Sequence, residues 1–271
     1  MTIDQNARQM ARNVAVHDRI ARRYDKLHGE IFNDIEQTRL HYALDRARDA
    51  VRTGAEPIQA LDFGCGSGNL SRHLLDLGVD VTAADVSQGF LQLVRSRYPT
   101  QRLTILHMPG GSLAALPDSS FDLIATYSVL HHIPDYLAAM VELARLCKPG
   151  GVIMLDHEPT PDYWKGDPLH RAFQREALRF DWRKYLVPSN YVHRVRRLFN
   201  PRHTNEGDIH VWPDDHVEWP RIAALLFEKG FEVVADEDYL LNRALYRTEV
   251  YARYRDCCTD TKMMVFRKCA E

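Results

Sequence analysis

The chain has 271 residues, 45% hydrophobic and 27% charged, which is the balance of a soluble globular protein with room for one large domain and an elaboration on it. Its formal net charge of -2 gives no whole-chain field towards nucleic acid or an anionic membrane, so the expected partner is a small molecule. Five cysteines (Cys65, Cys147, Cys257, Cys258 and Cys269) show neither CxxC nor Cys/His ligand spacing, which argues against a disulfide framework or a structural zinc site.

The opening residues, "MTIDQNARQMARNVAVHDRIARRYD", carry charges throughout and no apolar signal core, and no later run reaches the roughly 18 apolar residues of a membrane span. The chain therefore reads as cytoplasmic. Residues 1–53 predict a pair of amphipathic charged helices ahead of the sheet. "IQALDF" (58–63) predicts a buried strand followed by a helix from Asn69 to Leu77; "DVTAADV" (80–86) predicts a second strand, and "QGFLQLVRSRY" its helix. "RLTILHM" (102–108) and "FDLIATYSVL" (121–130) predict strands three and four, "YLAAMVELARLC" (136–147) a helix, and "GVIMLDH" (151–157) strand five. Strands and helices alternating in this way make a mostly parallel sheet covered on both faces. Residues 159–213 break the rhythm with prolines and aromatics, among them Trp164, Phe173, Phe180, Trp182, Tyr185, Tyr191, Phe199 and Trp212, and predict a helical insertion. The rhythm resumes with a helix at 215–229 that ends at Gly230, a strand at 231–240, and a final strand at 262–268.

The first strand runs into "LDFGCGSGNL", with three glycines in five positions. Such a turn lets backbone approach a ligand that any Cβ would touch, and it presents the free N–H groups of the following helix. A nucleoside triphosphate loop would need Gly-Lys-Ser/Thr, and no lysine is present; a dinucleotide loop is spaced GxGxxG, whereas Gly64, Gly66 and Gly68 are spaced GxGxG. Asp62, at the entrance, would repel a pyrophosphate and attract a cation. Asp85, about twenty residues on, ends the second strand where its oxygens can accept two ribose hydroxyls.

With these residues the chain resembles the class I S-adenosylmethionine-dependent methyltransferases. "ALDFGCGSGNL" is similar to the family's first motif and "VTAADVS" to its acidic second motif. "LPDSSFDLIATYSVLHHIPD" and "ELARLCKPGGVIML" are similar to the regions around strands four and five in the ubiquinone-biosynthesis-like, small-molecule branch. The resemblance implies an α/β, Rossmann-like sheet of seven mostly parallel strands with helices on both faces and the last strand antiparallel. It implies a methyltransferase domain at 54–158 and 214–271, an N-terminal helical lid at 1–53, and a helical cap insertion at 159–213 for the acceptor. S-adenosylmethionine is the cofactor it implies, held by Asp62, Gly64, Cys65, Gly66, Gly68, Asp85, Val86 and Tyr127. Tyr24, in "ARRYD", matches a tyrosine that folds over the cofactor. Ser112 stands where many relatives carry the Asp that contacts the adenine amino group, which leaves that contact open.

The transfer itself requires alignment and exclusion of water and, for a hydroxyl acceptor, a proton acceptor. In O-methyltransferases of this branch the first histidine of an LHH pair serves as base, oriented by a carboxylate after strand five. The resemblance places His131 on that histidine, and His157 on the carboxylate position between Asp156 and Glu158. His131, His157 and Glu158 are therefore the catalytic candidates. They could converge on a hard cation, but no spacing fixes such a site and no metal is expected. The insertion carries ten Arg/Lys against six Asp/Glu, which allows an anionic acceptor, and its aromatics allow a planar one. Tyr246, Tyr251 and Tyr254, between the last two strands, could reach the same pocket. O-methylation of a small molecule is the expected reaction. Transfer to nitrogen or carbon, and a cofactor-binding protein without transfer, are the alternatives. "TYSV" at the end of strand four, where amino-directed nucleic-acid methylases have an NPPY-like motif, disfavours nucleic acid as the acceptor.

Overall fold

In the computed structural model, which describes residues 3–160, 167–178, 188–199 and 217–270, seven strands form one sheet in the order β3-β2-β1-β4-β5-β7-β6. They are β1 (Gln59–Phe63), β2 (Asp80–Asp85), β3 (Leu103–His107), β4 (Phe121–Tyr127), β5 (Cys147–Pro159), β6 (Phe231–Tyr239) and β7 (Thr261–Lys268). The pairings among β1 to β5 are parallel, and β7 lies antiparallel between β5 and β6. This is the expected Rossmann-like architecture with the last strand inserted. The helices are α1 (Ile3–Ile20), α2 (Tyr24–Leu27), α3 (Asp34–Asp49), α4 (Asn69–Asp76), α5 (Gln88–Arg97), α6 (Tyr136–Leu146), α7 (Pro168–Ala177), α8 (Pro188–Phe199), α9 (Trp219–Glu228) and α10 (Thr248–Tyr254).

Period-two alternation sends neighbouring strand residues to opposite faces, and along the central strands both faces are buried. Leu61, Phe63, Ile124, Ile153 and Leu155 pack with Met140 and Leu143 of α6 and Ile222 and Leu226 of α9. Ala60, Leu123, Ala125, Val152 and Met154 face the other way, onto Leu40 and Leu44 of α3 and Leu70 and Leu74 of α4. Polar side chains fix several helix starts: Asn33, Ser87, Asp135 and Asp167 each accept a backbone N–H three residues on. β5 is longer than its apolar run because a bulge between Leu155 and Glu158 lets it continue pairing with β7, with His157 in the left-handed region at φ 61°.

Of the insertion's aromatics, Trp164, Phe180, Trp182, Tyr185 and Trp212 lie outside the described residues. Phe173 of α7 is fully buried in a separate cluster with Ala177, Leu240, Tyr246, Val250, Tyr251 and Cys258, its ring edge-on to Tyr246 at 4.8 Å. Tyr254 is partly buried against the same cluster. The three tyrosines between the last two strands thus anchor α7 to the loop after β6, rather than lining the cavity at the first glycine turn. Phe173→Ala should cost about 3–5 kcal/mol. Hydrogen exchange should locate the loss in α7 and residues 240–258, with the strands of the main sheet keeping their protection.

Candidate active site

The strand order reverses at β1, whose neighbours are β2 on one side and β4 on the other, and in such sheets ligands bind beyond the C-terminal ends of the strands at that point. A cavity of about 500 Å³ lies there. Its walls are Asp62, Gly64, Cys65 and Gly66 at the end of β1 and in the turn after it, Asp85 and Val86 at the end of β2, Ser112 after β3, and Tyr127 and His132 at the end of β4 and beyond it, with Asn13, His17 and Tyr24 from the N-terminal helices.

The glycines of the first turn have different reasons. Gly64 has φ 74°, and a Cβ there would come within 2.6 Å of Val129 Cγ2 in the loop after β4. Gly66 has φ 49°, a Cβ would meet nothing within 4 Å, and the residue borders the cavity. Gly68, at φ 90°, is the N-cap of α4, where a Cβ would fall 2.9 Å from the Tyr98 ring and 3.0 Å from Val94; it is absent from the cavity wall and serves the packing of α5. Cys65 is buried beside Asp85 and Asp62, and burial pushes its thiol well above the ordinary range.

Two buried carboxylates flank this turn. Asp62 Oδ2 accepts from Ser71 Oγ at 2.6 Å, while its Oδ1 has no partner among the described residues. Burial raises its carboxyl to about 7 against the help of Ser71, and the nearby Asp85 adds to the rise. Asp85 Oδ1 accepts from Ser87 N–H at 2.7 Å and Oδ2 from Gly66 N–H at 2.9 Å. Burial raises this group too, against those two bonds.

The three catalytic candidates do not line this cavity, and two of them are brought together behind it. His131 Nδ1 bonds Glu158 Oε2 at 2.7 Å, and Glu158 Oε1 accepts the N–H groups of Val129 at 2.8 Å and Leu130 at 2.7 Å. Glu158, near the end of β5, rather than His157, is the residue that meets the histidine. His157 instead stacks on Tyr127 at 4.5 Å, with both ring nitrogens unpartnered among the described residues. Burial, helped by Arg39, His131 and Arg243, holds its imidazole well below the usual range and therefore neutral. His132, 4.1 Å from His131, does reach the wall, where it meets His17 edge-on at 5.8 Å. Among the described residues no group of three His, Cys, Asp or Glu is placed to hold a metal ion, and no helix is long and apolar enough to cross a membrane.

Sequence reasoning missed Arg39. From α3 its guanidinium meets Asp156 Oδ2 at 3.0 Å and Glu36 at 3.1 Å and lies 3.9 Å over the Tyr239 ring, whose hydroxyl donates to Asp156 Oδ1 at 2.9 Å. This cluster pins the end of β5 beneath the N-terminal helices, and nothing in an amphipathic helix pattern distinguishes such an arginine from a solvated one. Ser67, Asn69, Asn13 and His17 were also missed; the first two lie within the glycine turn and its helix start, where their polarity was the available signal.

A family model described as a methyltransferase domain matches residues 61–155. The demethylmenaquinone methyltransferase of Renibacterium salmoninarum is 30% identical over 207 residues, covering 74% of this chain and 77% of the relative. The chain belongs to the class I S-adenosylmethionine-dependent methyltransferases. A ubiquinone biosynthesis O-methyltransferase from Alkalilimnicola ehrlichii is 29% identical over 65% of this chain and 72% of its own. The S-adenosylmethionine-dependent methyltransferase of Mesorhizobium loti shares the fold with a TM-score of 0.53 at 20% identity, covering 83% of this chain and 96% of that one.

The cavity suits the cofactor of this methyltransferase family. Its volume is that of a small-molecule site. Asp62 Oδ1, Ser67 Oγ and both amide atoms of Asn69 are buried on its wall without partners among the described residues, a donor and acceptor set that fits an amino-acid end. Gly66 leaves the space that a Cβ would fill.

The two glycines should separate in measurement. Gly64→Ala pushes Val129 and should lower stability by about 1–3 kcal/mol in urea unfolding, with Val129→Ala partly restoring it. Gly66→Ala should cost about 1 kcal/mol for its left-handed backbone yet weaken cofactor binding more than Gly64→Ala/Val129→Ala does.

Proposed function

We propose that the protein is an S-adenosylmethionine-dependent O-methyltransferase of a small-molecule acceptor in which His131, oriented by Glu158, is the general base. The observation that carries this reading is the 2.7 Å bond between His131 Nδ1 and Glu158 Oε2, with both side chains buried. A carboxylate only accepts, so this bond places the imidazole proton on Nδ1 and makes Nε2 the basic nitrogen, as a base for a hydroxyl proton requires. The N–H groups of Val129 and Leu130 hold Glu158 Oε1, so an imidazolium formed on proton uptake would lie beside a fixed carboxyl group. The ubiquinone biosynthesis relative, an O-methyltransferase by name, supports oxygen as the receiving atom.

The cofactor, when bound, supplies an electrophilic methyl group on a sulfonium. Asp62 would hold its ammonium, Gly66 would let the backbone approach, and Asp85 would accept the ribose hydroxyls. Tyr24, Val86, Ser112 and Tyr127 line the same cavity and would enclose it.

Labelled cofactor and a panel of phenolic and other hydroxylated acceptors test the assignment. His131→Ala should lower kcat by about 10²–10⁴-fold while calorimetry finds near-normal cofactor affinity, and Asp85→Ala should lose cofactor binding itself. Full turnover by His131→Ala would remove the base role.

The pH dependence of binding follows from Asp62. Folding raises its carboxyl from the ordinary 3.8 to about 7, so the unliganded protein binds more protons than the unfolded chain between those values and loses stability as pH rises through them. A cationic ligand needs the carboxylate and expels the proton. Affinity should therefore fall by up to about tenfold per unit below pH 7, with proton release measurable by calorimetry in buffers of different ionisation enthalpy. Asp62→Asn should be weaker and flat across the same range.

A further inference from the structure

α1 forms part of the cavity wall through Asn13 and His17, and its last turn carries a carboxylate that no cofactor contact would use. Asp18 Oδ1 accepts from Ser87 Oγ in a short bond and from Gly89 N–H at 2.9 Å, so it sits on the free N–H groups that begin α5. Ser87 in turn donates its backbone N–H to Asp85 Oδ1 at 2.7 Å. Asp18, Ser87 and Asp85 thus form one continuous chain of hydrogen bonds from the N-terminal helix to the carboxylate of the second strand. Gly66 N–H fixes the other oxygen of Asp85, so the Ser87 side is the one whose support comes from outside the sheet.

Gly89 shows how close this contact is. A Cβ there would lie 3.0 Å from Asp18 Cα, 3.0 Å from its Oδ1 and 3.1 Å from its carbonyl oxygen. No left-handed backbone calls for glycine at this position, which lies within α5, where alanine is the better helix former. The close approach of α1 is what the absent side chain permits. Further contacts hold the same segment: His17 and Tyr24 against Phe90 at ring distances of 5.6 and 5.2 Å, and Asp25 against Arg97 at 2.8 Å. Phe90 and Arg97 both belong to α5, so the N-terminal segment is moored along that one helix.

We propose that Asp18 is a positioning residue for the cofactor: by seating α1 on the start of α5 through Ser87 and Gly89, it couples closure of the N-terminal helix to the orientation of Asp85. The proposal rests on the cofactor reading given above. Asp18 touches no ligand. It acts through Ser87, and the coupling runs both ways: a ligand that engages Asp85 stabilises the seated α1, and a seated α1 holds Asp85 ready.

The test uses the full chain, S-adenosylmethionine as the probe, and two variants that perturb the same contact from opposite sides. Asp18→Asn keeps the size of the side chain and removes its charge. Gly89→Ala favours the α5 helix but wedges α1 away, so loss of binding by this variant at unchanged or raised Tm is a result that damage to the fold would not give. In the wild type, cofactor should slow tryptic cleavage at Arg12, Arg19, Arg22 and Arg23 and dissociate slowly. In each variant the cofactor should dissociate about tenfold faster and its protection of those sites should largely disappear, with kcat at saturating cofactor reduced far less than affinity. Wild-type dissociation rates and wild-type protection in both variants would overturn the coupling and leave the cofactor site standing. A wild type that binds no S-adenosylmethionine would overturn the cofactor reading, and the coupling with it.

Discussion

The site is organised by carboxylates buried at the C-terminal edge of the sheet, where an unpaired charge would cost several kcal/mol. Asp62, Asp85, Asp156 and Glu158 are each 6% exposed or less, and they stand at the ends of β1, β2 and β5. Each is satisfied differently, and the difference sets its chemistry. Asp156 has an arginine, a tyrosine hydroxyl and the His157 N–H, and is structural. Glu158 has two backbone N–H groups and an imidazole. Asp85 has backbone N–H groups alone, leaving capacity for further donors on both oxygens. Asp62 is held by Ser71 and keeps one oxygen without a partner among the described residues, and burial raises its carboxyl to about 7.

That gradation explains what could be read from the sequence. The central strands announce themselves because both of their faces are buried and they carry apolar runs, and Asp62 and Asp85 stand out because in each a carboxylate at the end of a strand stands two residues before a glycine or serine. The partner of His131 could not be read the same way. "LDHEP" offers three candidates in a row, and a strict two-residue alternation with no bulge gives no means of choosing. The bulge between Leu155 and Glu158, with His157 in the left-handed region, decides it, and bulges leave no periodic trace. Arg39 was illegible for a related reason: its role depends on α3 crossing the end of β5, a contact more than a hundred residues apart in the chain.

Two of the three non-glycine residues with positive φ among the described residues lie at the same edge. Ser128 and His157, neither of them glycine, adopt φ 60° and φ 61° just after β4 and near the end of β5. Such residues cost of order 1 kcal/mol or more each and persist where surrounding contacts over-determine them. Ser128 N–H donates to the Asp156 carbonyl at 3.0 Å, and Asp156 is itself held by Arg39 and Tyr239. The strain is thus supported by the charge cluster next to it, and it turns the chain after β4 so that Val129 and Leu130 present their N–H groups to Glu158.

Val129 then joins the two halves of the site. Its side chain occupies the space left by the missing Cβ of Gly64, and its N–H is one of the two that hold Glu158. Both glycines border the cavity, but the first is required by the loop that carries His131, while the second leaves open space where a Cβ would stand. A side chain at Gly64 would displace Val129 and with it a hydrogen bond to the carboxylate that orients the histidine. The glycine turn after β1 and the pair formed by His131, after β4, and Glu158, near the end of β5, are distant in the chain. Through one close contact they form a single mechanical unit, which constrains Gly64 even if no ligand ever touches it.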